Sequence, residues 1–149
     1  MDPVTIISTI SSGLTLIDKF RTLTLKVLSR EGAQPSVHAQ ERGGALEIER
    51  NGHVLERINA SSLKMSAWDD KRYKTLQKKV STNWDVYNDI DAELPSASTD
   101  EKARLKAKMA SIRGDLCADF REMLALYEKT LGVTLGDHYS LYSVCGASQ

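Results

Sequence analysis

The stretch STDEKARLKAKMASIRGDLCADFREMLALYEKTL, residues 98–131, decides how this chain folds. Leu105, Met109, Ile112, Leu116, Phe120, Met123, Tyr127 and Leu131 recur at steps of three or four without a miss, the period of one helix face. Ser98 followed by Glu101 is a capping box, and Gly132 is the residue that can end the helix in a left-handed conformation. A helix over about 98–131 is expected. Most of its apolar face must be buried against something else in the chain.

The partner lies just upstream. Ser66 opens SAWD, a second N-cap with an acid three residues on. Tyr73, Leu76, Val80, Trp84, Tyr87, Ile90 and Leu94 then form a helical stripe that Pro95 ends. This predicts a helix over about 66–94, folded back on the next one across the short Pro95–Ser98 loop. Antiparallel pairing places Asp85 near Lys108, Asp89 near Arg104, Lys78 near Asp115, Lys74 near Asp119 and Lys71 near Glu122. Every pair is opposite in sign, which selects register more than it adds stability. The same residues allow a rival reading. Lys64, Lys71, Arg72, Lys74, Lys78 and Lys79 surround Tyr73, a mixture that could bind phosphates and stack a base. The interhelical pairing accounts for them better, so nucleic acid is not the expected partner. Trp68 and Trp84 are expected to pack.

Downstream, 137–145 reads as a short helix or tail, capped by Asp137 and anchored by Leu141 and Val144. Upstream, Asn51-Gly52 sits between two alternating runs and predicts a β-hairpin over 45–58, since both residues tolerate positive φ. A three-residue loop with a bulge sets Glu47 opposite Arg57 and gathers Leu46, Ile48, Val54 and Ile58 on one face. Residues 30–44, polar and carrying Gly32, Pro35, Gly43 and Gly44, read as a loop.

The chain opens MDPVTIISTISSGLTLIDKF. Asp2 stands where an export signal has its positive charge, and Ser and Thr interrupt the apolar run. Asp18, Lys19 and Arg21 arrive too soon for a membrane span. A helix over about 3–29 fits better, with Asp2 as N-cap, Pro3 at the first position, and Gly32 and Pro35 marking the exit. Ile6, Ile7, Ile10, Leu14, Ile17 and Phe20 give it a broad apolar face. This is the candidate interaction or membrane face.

The fold class is therefore mainly α in one domain, 1–149. It is a helical bundle with a long antiparallel helix pair, a long N-terminal helix and one small β-hairpin. The 149 residues are 41% hydrophobic and 27% charged, with 20 basic and 20 acidic side chains, so no net charge draws the chain to nucleic acid or an anionic membrane. Cys117 and Cys145 form no CxxC, and both read as reduced thiols of a cytoplasmic protein. His38, His53 and His138 have no ligand spacing, so neither metal nor cofactor is expected. No phosphate-cradling glycine loop, GxSxG or HExxH is present.

Residues 1–20 resemble the N-termini of HeLo-like helical cell-death domains, which head fungal receptors of the NACHT type. The Met-Asp-Pro start and Leu16-Ile17-Asp18 carry the resemblance. It implies a helical bundle whose first helix can leave the core to disturb a membrane, or that oligomerises with like domains. It implies no catalytic residues.

The leading expectation is a non-enzymatic helical module acting by protein–protein contact or self-association. The alternative is a membrane-active effector, of cell-death or defence type, driven by its first helix. An enzyme comes third, and a pocket joining Asp137, His138 and Tyr142 would favour it.

Overall fold

A computed structural model describes residues 2–30 and 36–146. The N-terminal helix α1 spans Pro3–Val27. Three strands follow: β1, His38–Arg42; β2, Ala45–Arg50; and β3, His53–Asn59. A 3₁₀ turn, Ala60–Ser62, leads to the long helices α2, Ala67–Glu93, and α3, Thr99–Leu131. Two single turns close the chain, α4, Gly136–Tyr139, and α5, Tyr142–Cys145. The fold is mainly α, with a long helix pair and a small antiparallel sheet.

The caps act as their chemistry requires. The Asp2 carboxylate accepts from the Thr5 amide at 2.9 Å, Ser66 from Asp69 at 3.1 Å and Ser98 from Glu101 at 3.3 Å. Gly132 ends α3 at φ 73°. Helix α1 stops before the exit expected at Gly32 and Pro35, which fall outside the described residues. Ser29 adopts φ 56°, the Arg30 amide donates to the Leu25 carbonyl at 2.7 Å and the Ser29 amide to Lys26 at 3.1 Å. That pair of bonds is a Schellman closure, reached here without a glycine.

The segment read as a loop over 30–44 contains a strand. Gly43 and Gly44, at φ 60° and 77°, turn β1 back along β2, pairing Arg42 with Ala45. Two positive-φ residues make the same two-residue turn that Asn51-Gly52 makes next door. The sheet therefore has three strands, in the order β1-β2-β3.

The hairpin register is the expected one, with Glu47 opposite Arg57, but a different device produces it. Asn51 and Gly52, at φ 54° and 79°, form a two-residue turn pairing Arg50 with His53. The irregularity lies further along: Ile48 pairs with Glu56 and Glu49 with Val54, leaving Leu55 as the extra residue. A bulge reverses the alternation beyond it. Val54 is thus 50% exposed, while Leu46, Ile48 and Ile58 enter the core.

The core runs between the sheet and the three long helices. Phe20 of α1 meets Phe120 of α3 and Tyr87 of α2, with ring centroids 5.0 and 5.7 Å away. Thr24 and the Tyr87 hydroxyl share a hydrogen bond of 2.8 Å. Arg21, only 1% exposed, donates to Asp18 at 2.9 Å. A Cβ on Gly13 would lie 1.8 Å from the Tyr127 hydroxyl, so glycine is required there by contact and not by backbone angle.

Cys117 of α3 and Cys145 of α5 form a disulfide, with Cα atoms 5.8 Å apart. This overturns the expectation of two reduced thiols. The tail doubles back over α1 and α3, bringing together residues that are 28 positions apart in sequence. Arg30 donates to the Ser143 carbonyl at 3.1 Å, Arg50 to His138 at 2.6 Å and Arg121 to Gly146 at 2.5 Å, holding the same segment. Asp137 does not cap it. The Glu128 carboxylate does so, accepting from the Leu135 and Gly136 amides at 2.6 and 3.1 Å. Leu141 and Val144 anchor it as expected.

Candidate interaction surface

Ile6, Ile7, Ile10, Leu14, Ile17 and Phe20 are each no more than 1% exposed. In this fold the apolar face of α1 is core, covered by the sheet, α3 and the tail. The residues α1 turns outward are mainly Val4, Ser8, Ser12, Thr15, Lys19 and Lys26. No helix among the described residues is long and apolar enough to cross a membrane.

The outward face of α2 is different. Trp68, Lys71, Thr75, Lys78, Thr82, Asp85 and Asp89 recur at steps of three and four, and all are exposed. Trp68 is 78% exposed, which corrects the expectation that both tryptophans pack. Trp84 does pack, stacked on Tyr87 at 6.2 Å. Tyr73, the base-stacking candidate, is 3% exposed and unavailable.

The interhelical ion pairs explain which charges remain. The two helices are antiparallel, and the acids Asp119 and Glu122 do take bases from α2. For Glu122 the partner is one position beyond the expected one, and for Asp119 it is five positions beyond. Arg72, not Lys71, binds Glu122 in two-pronged fashion, and Lys79, not Lys74, reaches Asp119 at 3.3 Å. One residue along a helix is a 100° rotation, so the seam takes Arg72 and Lys79 and turns Lys71 and Lys78 to solvent. Lys74 pairs within its own helix with Asp70 at 3.0 Å, and Lys129 reaches Asp69 at 2.9 Å. The Arg72 guanidinium holds the Glu122 carboxyl below its usual range, and Lys129 does the same for Asp69. Among the described residues, Lys71, Lys78, Asp85, Asp89 and Glu93 form no ion pair.

Two shallow depressions lie along this face. One, of about 210 Å³, is lined by Trp68, Lys71, Arg72 and Thr75. The other, of about 410 Å³, is lined by Thr75, Lys78, Lys79, Thr82 and Asn83. The Thr75 and Thr82 hydroxyls donate to the Lys71 and Lys78 carbonyls at 3.1 Å each, so their polar atoms are satisfied within the helix. What they present outward is small and methyl-bearing. A third hollow, of about 420 Å³ between α1 and α2, has a mixed lining that includes Ser12, Thr15, Leu16, Gln77, Val80 and Met123.

The pocket that would favour an enzyme does not form. Tyr142 is 65% exposed and Asp137 is exposed, while His138 turns to Glu56 at 3.5 Å. Tyr139 is buried instead, and burial pushes its hydroxyl far above the usual range. Among the described residues no group of three or more His, Cys, Asp or Glu is placed to hold a metal ion.

The exposure of Trp68 escaped sequence reasoning. Its heptad-like spacing from Lys71, Thr75 and Lys78 was the available signal, because those neighbours are polar and Trp68 shares their face. No protein-family model, no curated protein and no solved structure matches this chain.

Proposed function

We propose that this chain is a non-enzymatic helical module acting by protein–protein contact, self-association foremost, through the outer face of α2. The observation that carries the reading is Trp68, 78% exposed at the start of a helix whose other aromatics are packed. An exposed indole contributes nothing to the core, and tryptophan is among the side chains that dominate binding energy at protein contacts. The charges left over beside it add selectivity.

The test uses a Trp84→Phe variant, which leaves Trp68 as the sole tryptophan. Its emission should move to the blue as the protein is concentrated, because the indole leaves water. Emission of a solvated indole up to the highest attainable concentration would end the self-association reading.

The compartment belongs to the same proposal. A disulfide persists in oxidising surroundings and is reduced in most cytosols, so the Cys117–Cys145 bond favours the former over a cytoplasmic placement. The membrane-active alternative, and the HeLo-like resemblance behind it, require α1 to leave the core that its apolar face now fills.

A further inference from the structure

We infer that the partner seated on the outer face of α2 is a second copy of the same helix, running antiparallel about a two-fold axis at Thr82. The inference rests on the self-association reading and adds its geometry. Three observations carry it.

The first is charge. Lys71 and Lys78 lie in the first half of α2, Asp85, Asp89 and Glu93 in the second, and none has an intramolecular ion-pair partner among the described residues. A face basic at one end and acidic at the other is self-complementary when two copies run in opposite directions. A two-fold contact of this kind uses the same patch twice. With Thr82 on the axis, Lys78 of each copy faces Asp85 of the other, and Lys71 faces Glu93.

The second is shape. The residue on the axis, Thr82, is small, and so is Thr75, two steps out along the same face. The Thr82 hydroxyl is already bonded to the Lys78 carbonyl at 3.1 Å, so close approach strands no polar group. A depression of about 410 Å³ alongside receives a neighbouring side chain.

The third is the place this register gives Trp68. The indole falls opposite Pro95 and Ser96, both exposed in the 3₁₀ turn Leu94–Ser96 that follows α2. Each Trp68 thereby gains the Pro95 ring as a neighbour at the two ends of the contact. The two helix dipoles also oppose, which favours antiparallel over parallel pairing.

One helix face makes a small contact held largely by exposed charge, so the dimer should be weak and should loosen as salt is added. The experiment is sedimentation equilibrium on the full chain with its disulfide intact. Lys78→Glu alone and Asp85→Lys alone each place like charges across the axis, and each should raise the dimer dissociation constant about tenfold. An equimolar mixture of the two variants should recover wild-type affinity, because both cross-axis pairs are then opposite in sign. Both positions are exposed, so circular dichroism should match the wild type.

Single variants that dimerise like the wild type, or a mixture that stays monomeric, overturn the register. If Trp68→Ala nevertheless abolishes the dimer, self-association through this face survives and only the antiparallel pairing falls. A wild-type chain that is monomeric at every concentration overturns both.

Discussion

Helix α1 and helix α2 are nearly equal in length, 25 and 27 residues, and the fold uses them in opposite ways. Helix α1 is the more apolar by sequence and has the broader hydrophobic face. All of that face is spent inside, to the point of burying Arg21 with Asp18. Helix α2 is the more polar, and it keeps the large aromatic and the uncommitted charges outside. The lesson is that a broad apolar face marks demand for burial and not availability for a partner. Availability is what remains once the seams are filled. On α2 the remainder can be named residue by residue, because Arg72 and Lys79 occupy the interhelical carboxylates and leave Lys71 and Lys78 free.

The severest way to break this comparison is to charge α1. Ile10→Glu with Ile17→Glu puts two carboxylates where exposure is now zero. Each buried ion costs several kcal/mol, comparable with the whole stability of a domain of this size. The double variant should lose its near-ultraviolet circular dichroism and its cooperative unfolding. If it folded normally and still bound lipid vesicles, α1 would be neither core nor membrane agent, and the contrast with α2 would dissolve.

An intermediate effect comes from releasing the tail that covers α1. Opening the Cys117–Cys145 bond frees a loop of 28 residues and should lower stability by about 2–4 kcal/mol, read from the urea midpoint of a Cys117→Ser, Cys145→Ser variant. An unchanged midpoint would mean that the arginine and Glu128 contacts hold the tail alone.

The smallest effect sharpens the other side. Trp68→Ala should shift stability by no more than about 0.5 kcal/mol, the range of surface changes, while removing the association. A loss of several kcal/mol would place Trp68 in a core that its exposure denies.

Much of the fold could be read before the structure, for local reasons. Asp2, Ser66, Ser98 and Gly132 act within one helical turn, and Asn51-Gly52 within one hairpin, so sequence alone contains their partners. Strand β1 was missed because His38–Arg42 carries hardly any apolar alternation. It is recruited as an edge by Gly43-Gly44 and by β2. The disulfide was missed because only the return of the tail brings Cys145 to α3. That the apolar face of α1 is core, and that Lys71 and Lys78 stay outside on α2, was hidden for a related reason. Which basic residue fills an interhelical seam depends on the rotation and axial offset of the two helices, which helical periodicity alone does not resolve.

Gly13 has a mechanical consequence. The Tyr127 hydroxyl stands where a side chain at that position would begin, 1.8 Å from its would-be Cβ. Sliding α1 by one residue would bring Ser12 or Leu14 to that point, and sliding it by a turn would bring Thr9, Ile10, Leu16 or Ile17. Every one of these carries the carbon that the hydroxyl forbids. The helix is thus indexed like a key with a single notch. A slide along its own axis would first have to displace the Tyr127 ring, so that tyrosine is the stop that fixes where the helix sits.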